Sequence, residues 1–261
     1  MRNIWTIAKR EYDHYFISPI AYVVAFLILL TTGVIFVYSL SYYTQNAFQS
    51  FGGTPDITSI TGSFGFLMVL TIPALTMRLI ADEARMGTLE LLLTAPVRDF
   101  ELVAGKWLGA FLFILSILAV TLIYPIILNG IVFGNVTILP PLVSPSIDRM
   151  LMLSAYLGVI LVAAAFLALG VGISAIFTNQ VAAFFATLVI FMILWWLIGF
   201  PANILQPGGA QQLFQFLDMK THFYNAFGSG SIAIVDIFYF LSLTALGLFM
   251  GTTAVEVRRW R

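Results

Sequence analysis

Residues 181–200 read VAAFFATLVIFMILWWLIGF, and the reading of this run decides the fold. A bilayer core about 30 Å thick needs about 20 apolar residues if the chain crosses it as a helix. A membrane-spanning strand would need only about ten, with polar and apolar residues alternating. The run is unbroken and does not alternate, so it reads as a transmembrane helix. The same test carried outward finds runs of that length at approximately Ile20–Tyr43, Ile60–Ile80, Leu108–Phe133, Met150–Phe177, Val181–Asn203 and Ile234–Val255. None has a charged residue in its middle. The expected fold class is all-α: a polytopic membrane protein with six transmembrane helices.

Composition agrees. Of 261 residues, 61% are hydrophobic and 9% charged, against about 25% charged in a soluble domain. Twelve Lys and Arg balance twelve Asp and Glu, so no global charge draws the chain to nucleic acid, and the position of each charge carries the information. The chain has no cysteine, which excludes disulfides, thiolate metal sites and cysteine nucleophiles. His14 and His222 are far apart and lack metal-ligand spacing. A lone histidine is ordinarily a solvated or interfacial side chain, so no metal site, catalytic residue or cofactor is assigned to this chain. A membrane-embedded enzyme would need a nucleophile, a metal cluster or paired carboxylates, and none is visible. An ion-coupled secondary transporter commonly places ionisable residues at the membrane midplane. No Asp, Glu, Lys, Arg or His stands there.

Orientation follows from the excess of Lys and Arg at cytoplasmic helix ends. Arg2, Lys9, Arg10, Arg78, Arg85, Arg98, Lys106, Arg258, Arg259 and Arg261 fall on one side, Arg149 and Lys220 on the other. Both termini are expected in the cytoplasm, loops 44–59 and 134–149 outside, and a tight cytoplasmic turn at 178–180. Lys9, Arg10, Glu11 and Asp13 interrupt the first seventeen residues, so no cleavable signal peptide is evident. Residues 1–19 read instead as an interfacial amphipathic helix, with Trp5, Ala8, Tyr12, Tyr15 and Phe16 on one face and Arg2, Lys9, Arg10 and Asp13 opposite. A disordered tail is the alternative. Residues 20–261 form the six-helix transmembrane domain.

Within the spans, Ser18-Pro19 reads as a capping hydroxyl followed by proline at the first helical position. Pro73 and Pro125 are expected to kink the second and third spans, as hinges or as irregularities packed against neighbours. Ala164, Ala168 and Gly172 recur every four residues and form a seam along which another backbone can approach closely. Between the last two spans, residues 204–232 are too polar to cross and too apolar for a solvated loop. Leu213, Phe216 and Leu217 fit one short amphipathic helix, and Phe223, Tyr224 and Phe227 another. They read as short re-entrant helices dipping into the outer interface; a folded loop with its aromatic residues packed inward is the alternative.

The longest cytoplasmic segment between spans, about residues 82–106, does not read as a passive connector. Met86, Leu89 and Leu93, with Leu92 beside them, make an apolar stripe at helical spacing that Pro96 ends, surrounded by Asp82, Glu83, Arg85 and Glu90. An exposed leucine ridge is buried against its own protein or awaits a partner. Asp99 is expected to cap a second helix leading into the third span.

The run Glu83, Gly87, Thr88, Glu90, Leu92, Leu93 and Pro96, followed by Lys106, resembles the signature of ABC-type permeases of the second exporter class, E-x3-G-T-x-E-x-L-L-x2-P before a later lysine. The segments DMKTHFYNAFGSGSI (218–232) and EVRRWR (256–261) are similar to the branch containing gliding-motility permeases and the permease of nitrous-oxide-reductase maturation. The resemblance implies that residues 83–96 form a coupling helix seated in a groove of a separate ATP-binding-cassette ATPase subunit. Glu83, Met86, Gly87, Thr88, Leu89, Glu90, Leu92, Leu93 and Pro96 would make that contact. It further implies two permease chains, identical or different, two ATPase subunits carrying ATP and Mg, and the plasma or inner membrane of a prokaryote. The residues themselves agree on one point: the chain has no G-x4-G-K-[ST] phosphate loop, so ATP is hydrolysed elsewhere. Export across the membrane is the first reading. Transmission of motion to a periplasmic partner without translocation is the alternative within the same architecture.

Overall fold

Lipid offers the backbone no hydrogen-bonding partner, so each crossing segment must satisfy its own N–H and C=O groups as a helix. The computed structural model describes residues 2–45, 58–88, 97–133 and 149–259, and among them no strand occurs. The helices are α1 (Arg2–Tyr15), α2 (Pro19–Gln45), α3 (Thr58–Thr76), α4 (Ala81–Met86), α5 (Asp99–Thr121), α6 (Ile123–Phe133), α7 (Arg149–Ile176), α8 (Gln180–Met192), α9 (Gly209–Leu217) and α10 (Ile234–Arg259). Among the described residues, six stretches are long and apolar enough to cross a membrane: Pro19–Tyr42, Thr58–Met86, Asp99–Leu128, Met150–Ile176, Gln180–Asn203 and Ile234–Arg259. They match the six apolar runs of the sequence. The chain is an all-α polytopic membrane protein.

The bundle is arranged around α7, which touches α3, α5, α8 and α10. Its seam is occupied from within the chain. A Cβ placed on Gly172 would lie 2.7 Å from the carbonyl oxygen of Gly247 on α10. One placed on Gly247 would lie 2.4 Å from the carbonyl carbon of Ala168. Small residues on both helices thus let the backbones meet, the usual substitute in lipid for hydrophobic driving force. The Ala164 carbonyl, on the same row, accepts from Trp107 Nε1 at 3.0 Å.

The two prolines behave differently. Pro73 lies inside α3. Near Pro125 the helix breaks: α5 ends at Thr121 and α6 begins at Ile123, so Pro125 falls in the first turn of a new helix, where its missing N–H is harmless. The Thr121 carbonyl, which an amide at position 125 would otherwise serve, accepts from the Tyr156 hydroxyl at 3.1 Å. The expected turn at 178–180 is present, and Asn179 caps α8 by accepting from the backbone N–H groups of Val181 and Ala182 at 2.8 and 3.4 Å. Pro19 opens α2 as expected. The Ser18 hydroxyl, read from sequence as a cap, instead accepts from Arg78 Nη1 at 2.9 Å.

Past α8 the chain loosens into a π-helical turn, Ile193–Leu197, and a 3-10 turn, Phe200–Asn203. The following segment divides between the two readings of its aromatic residues. On α9, Leu213, Phe216 and Leu217 are exposed. A turn at Met219–Thr221 and a π-helical turn at His222–Ala226 carry Phe223 and Phe227 inward, where both are buried. Phe227 lies against Gly158, Phe223 against Gly65, and the Tyr224 hydroxyl donates to the Gly62 carbonyl at 3.0 Å. This segment therefore closes the end of the bundle where α3 and α7 begin. His222 corrects the expectation of a solvated or interfacial side chain. It is buried, its Nδ1 facing Asp236 Oδ1 and its Nε2 facing the Phe216 carbonyl at 2.7 Å, with its ring stacked on Tyr239. The carboxylate that makes burial tolerable comes from α10, fourteen residues on.

Candidate functional site

At the opposite end of α3 and α7 sits α4, a helix of six residues. So short a helix is not stable alone; it is held from both sides. The backbone N–H groups of Ile80 and Ala81 donate to Ser174 Oγ on α7 at 3.3 and 3.1 Å, serving donors that have no intrahelical partner. Both residues are fully buried, so no water replaces that oxygen. Ser174→Ala is expected to cost about 1–2 kcal/mol locally. Trypsin should then cut faster after the exposed Arg85 while cutting after Lys9 stays unchanged; an unaltered rate at Arg85 would remove the capping role.

The other side of α4 is fixed by charge. Lys106 of α5 is 1% exposed, and its Nζ donates to Glu83 Oε1 at 2.8 Å and to Glu11 Oε1 of α1 at 2.9 Å. Arg10 Nη2 adds a bond to Glu11 Oε1 at 3.0 Å and stands 3.7 Å from Glu83 Oε1. Two cations thus balance two carboxylates where α1, α4 and α5 meet. Burial alone would raise the Glu11 carboxyl, but Lys106 and Arg10 outweigh it and hold the group below the ordinary carboxylate value. Glycine makes the approach of α1 possible: a Cβ on Gly109 would lie 2.6 Å from Glu11 Cβ, and one on Gly105 2.8 Å from Ile7 Cβ. Ala8, Glu11 and Tyr15 form the buried stripe against α5, whereas Trp5 and Phe16 are 58% and 43% exposed.

α4 ends at Gly87, whose φ of 72° and ψ of 2° place it in the left-handed region while its N–H reaches the Ala84 carbonyl at 3.4 Å. No atom would obstruct a Cβ there, so conformation, not space, selects glycine. Thr88 Oγ1 donates back to the Glu83 carbonyl at 3.3 Å, and Met86 is exposed. Of the predicted contact residues, Glu83, Met86, Gly87 and Thr88 are therefore gathered at this end; Leu89, Glu90, Leu92, Leu93 and Pro96 lie outside the described residues. α5 resumes with Asp99 already inside the helix and Arg98 at the cap. The expected Asp99 cap is thus corrected: its carboxylate pairs with Arg259 at the end of α10 at 2.7 Å, and Glu101 Oε2 accepts from the Arg98 backbone N–H at 3.3 Å.

A family model for ABC-2 family transporter proteins matches residues 5–256, from within α1 almost to the end of α10. The chain belongs to the ABC-2 transporter family. No curated protein matches it. This ABC-2 protein is accordingly a multi-pass permease subunit of an ABC transporter, and its family implies ABC ATPase subunits as partners. The α4 region contains two side chains of the sequence signature, Glu83 and Lys106, in direct contact across 23 residues of sequence. Glu11 was not among the sequence-derived candidates. The signal for it was its spacing from Ala8 and Tyr15, which puts a carboxylate on the packed face of α1. Ser174 had no such signal, since its role depends on how α4 meets α7.

Proposed function

We propose that residues 83–96 are the coupling helix of this ABC-2 permease, docking on a separate ATP-binding-cassette ATPase and passing its movement to the membrane helices. The observation that carries the reading is the fixing of Glu83 by Lys106 beside the left-handed Gly87. The signature run then leaves a short helix clamped to α1, α5 and α7. Thr88 and Glu90 would orient the ATPase, and Leu89, Leu92 and Leu93 supply apolar contact. The complex has two permease chains and two ATPase subunits, which bind ATP and Mg. The α4 end faces the cytoplasm, as the clustering of α1, Arg98 and Arg258–Arg259 with α4 favours, while Arg149 and Lys220 belong to the other end. ATP-driven export across a prokaryotic plasma membrane is the activity, in the branch of gliding-motility and nitrous-oxide-reductase-maturation permeases.

The test separates docking from transmission. Leu93→Asp puts a charge into an apolar contact, a cost of several kcal/mol when unpaired, so the ATPase subunit should no longer co-purify. Glu90→Gln keeps the shape, so the complex should assemble while ATP hydrolysis in nanodiscs becomes less tightly linked to membrane-side activity. Normal assembly and coupled activity in Leu93→Asp would overturn the assignment.

A further inference from the structure

A cavity of about 500 Å³ lies between α1, the start of α2, the end of α3 and α4, within the size range of small-molecule sites. Its walls differ in chemistry. Ile20 and Leu75, at the adjoining ends of α2 and α3, make an apolar side. Tyr15 stacks on Phe113 with ring centroids 4.9 Å apart and is 8% exposed, yet its buried hydroxyl has no hydrogen-bond partner. A buried hydroxyl left unpaired costs on the order of 1–3 kcal/mol. Burial and the Glu11 charge push its pKa up despite the nearby Arg78 guanidinium, so it remains a donor. Arg78 gives one N–H to Ser18 and takes part in none of the ion pairs among the described residues; a guanidinium carries five donors.

Across from these donors, α4 contributes Asp82 and Glu83. Glu83 Oε1 is taken by Lys106, but Glu83 Oε2 is buried without a partner. The cavity thus offers unused donors, an unused carboxylate oxygen and an apolar wall. We propose that it holds the headgroup of an aminophospholipid, its phosphate on Arg78 and Tyr15, its primary ammonium on Glu83 Oε2, and its acyl chains along Ile20 and Leu75. Arginine suits the phosphate through its paired N–H groups. A primary ammonium brings the N–H donors that Glu83 Oε2 lacks. The site stands independently of the coupling reading, because lipid is measured on the permease without an ATPase.

Native mass spectrometry of the detergent-purified full chain tests this with phosphatidylethanolamine, phosphatidylcholine, phosphatidylglycerol and soluble phosphoethanolamine. One phosphatidylethanolamine per chain is expected to be retained about tenfold better than the other two lipids, since each unpaired charge-assisted bond is worth roughly that factor. Arg78→Gln removes a phosphate contact that all three lipids share, so it should lower retention of phosphatidylethanolamine about tenfold. Tyr15→Phe, which keeps the ring stacked on Phe113, should reduce it several-fold without disturbing the fold. Equal retention of phosphatidylcholine would overturn the proposal, because its trimethylated nitrogen has no N–H to give. Displacement of the lipid by an equal concentration of phosphoethanolamine would also overturn it by showing that the acyl wall contributes nothing. So would undiminished retention of phosphatidylethanolamine in Arg78→Gln.

Discussion

Lys106→Gln is expected to lower the melting temperature of the purified permease by roughly 10 °C, more than any other single charge removal at the α4 end. A buried ion pair is weak evidence for stability as a whole, but removing one partner leaves the others charged and dry, which costs about 3–5 kcal/mol. Here one ammonium serves two carboxylates, so its loss sets Glu11 against Glu83 with only the exposed Arg10 between them. The acid response gives a second readout. In the native protein the folded Glu11 carboxyl lies below its ordinary value of 4.5. Its contribution is therefore present above that pH and lost as pH falls through the folded value. Without Lys106, burial dominates and the sign reverses, so lowering the pH from neutral towards 4.5 should stabilise Lys106→Gln while the native protein gains nothing. Changing Glu11 and Glu83 to Gln in the same chain should restore most of the melting temperature. No recovery in that triple variant would show that the lysine acts by packing and not by charge.

Gly247→Val should be nearly as damaging, and for a reason free of charge. The first carbon added there meets backbone on every side: the Ala168 carbonyl carbon at 2.4 Å, the Leu169 nitrogen at 2.5 Å and the Ala168 oxygen at 2.6 Å. Even Gly247→Ala, which gains about 1 kcal/mol of helix propensity, should lose more by forcing α7 and α10 apart, since overpacking costs about 1–3 kcal/mol. Valine adds two further methyl groups to the same clash. Because the obstructing atoms are backbone, Ala168→Gly should not rescue either variant. Gly209→Ala, which meets nothing within 4 Å, should be neutral. The measurement is the yield of monodisperse protein and its melting temperature. Rescue by Ala168→Gly would show that the side chain, not the main chain, sets the helix separation.

The fold was legible because lipid imposes one rule on every span. A charge-free run such as residues 181–200 has no alternative to a helix, and all six runs emerged, although the second span extends to Met86 and the third begins at Asp99, where charged residues hid the helix from a search for apolar runs. The seam of Ala164, Ala168 and Gly172 was legible as well, and Gly247 and Gly251 on α10 repeat the same four-residue spacing that faces it. Less legible were the places where a side chain had two possible claimants. Asp99 has the composition of a cap, but Arg259 arrives from 160 residues away and takes its carboxylate. Ser18 has the same composition, and Arg78 claims it. The aromatic residues between α8 and α10 alternate too little to reveal that Phe223 and Phe227 turn inward while Phe216 stays out. In the candidate site, the signature named Glu83 and Lys106 separately. That Lys106 also bonds Glu11, 95 residues away, is a tertiary fact that no local spacing encodes.

The meeting of α1, α4 and α5 at Lys106 also fixes an order of events during biosynthesis. A chain leaves the ribosome N-terminus first, so Glu11 and then Glu83 are made before the ammonium that neutralises them. Until residue 106 emerges, both carboxylates have to stay hydrated. Nor can α1 settle before then, since the groove that receives it is cut by Gly105 and Gly109. The first two spans therefore enter the bilayer with the nascent N-terminal helix still undocked, and delivery of the third span is the step that latches it.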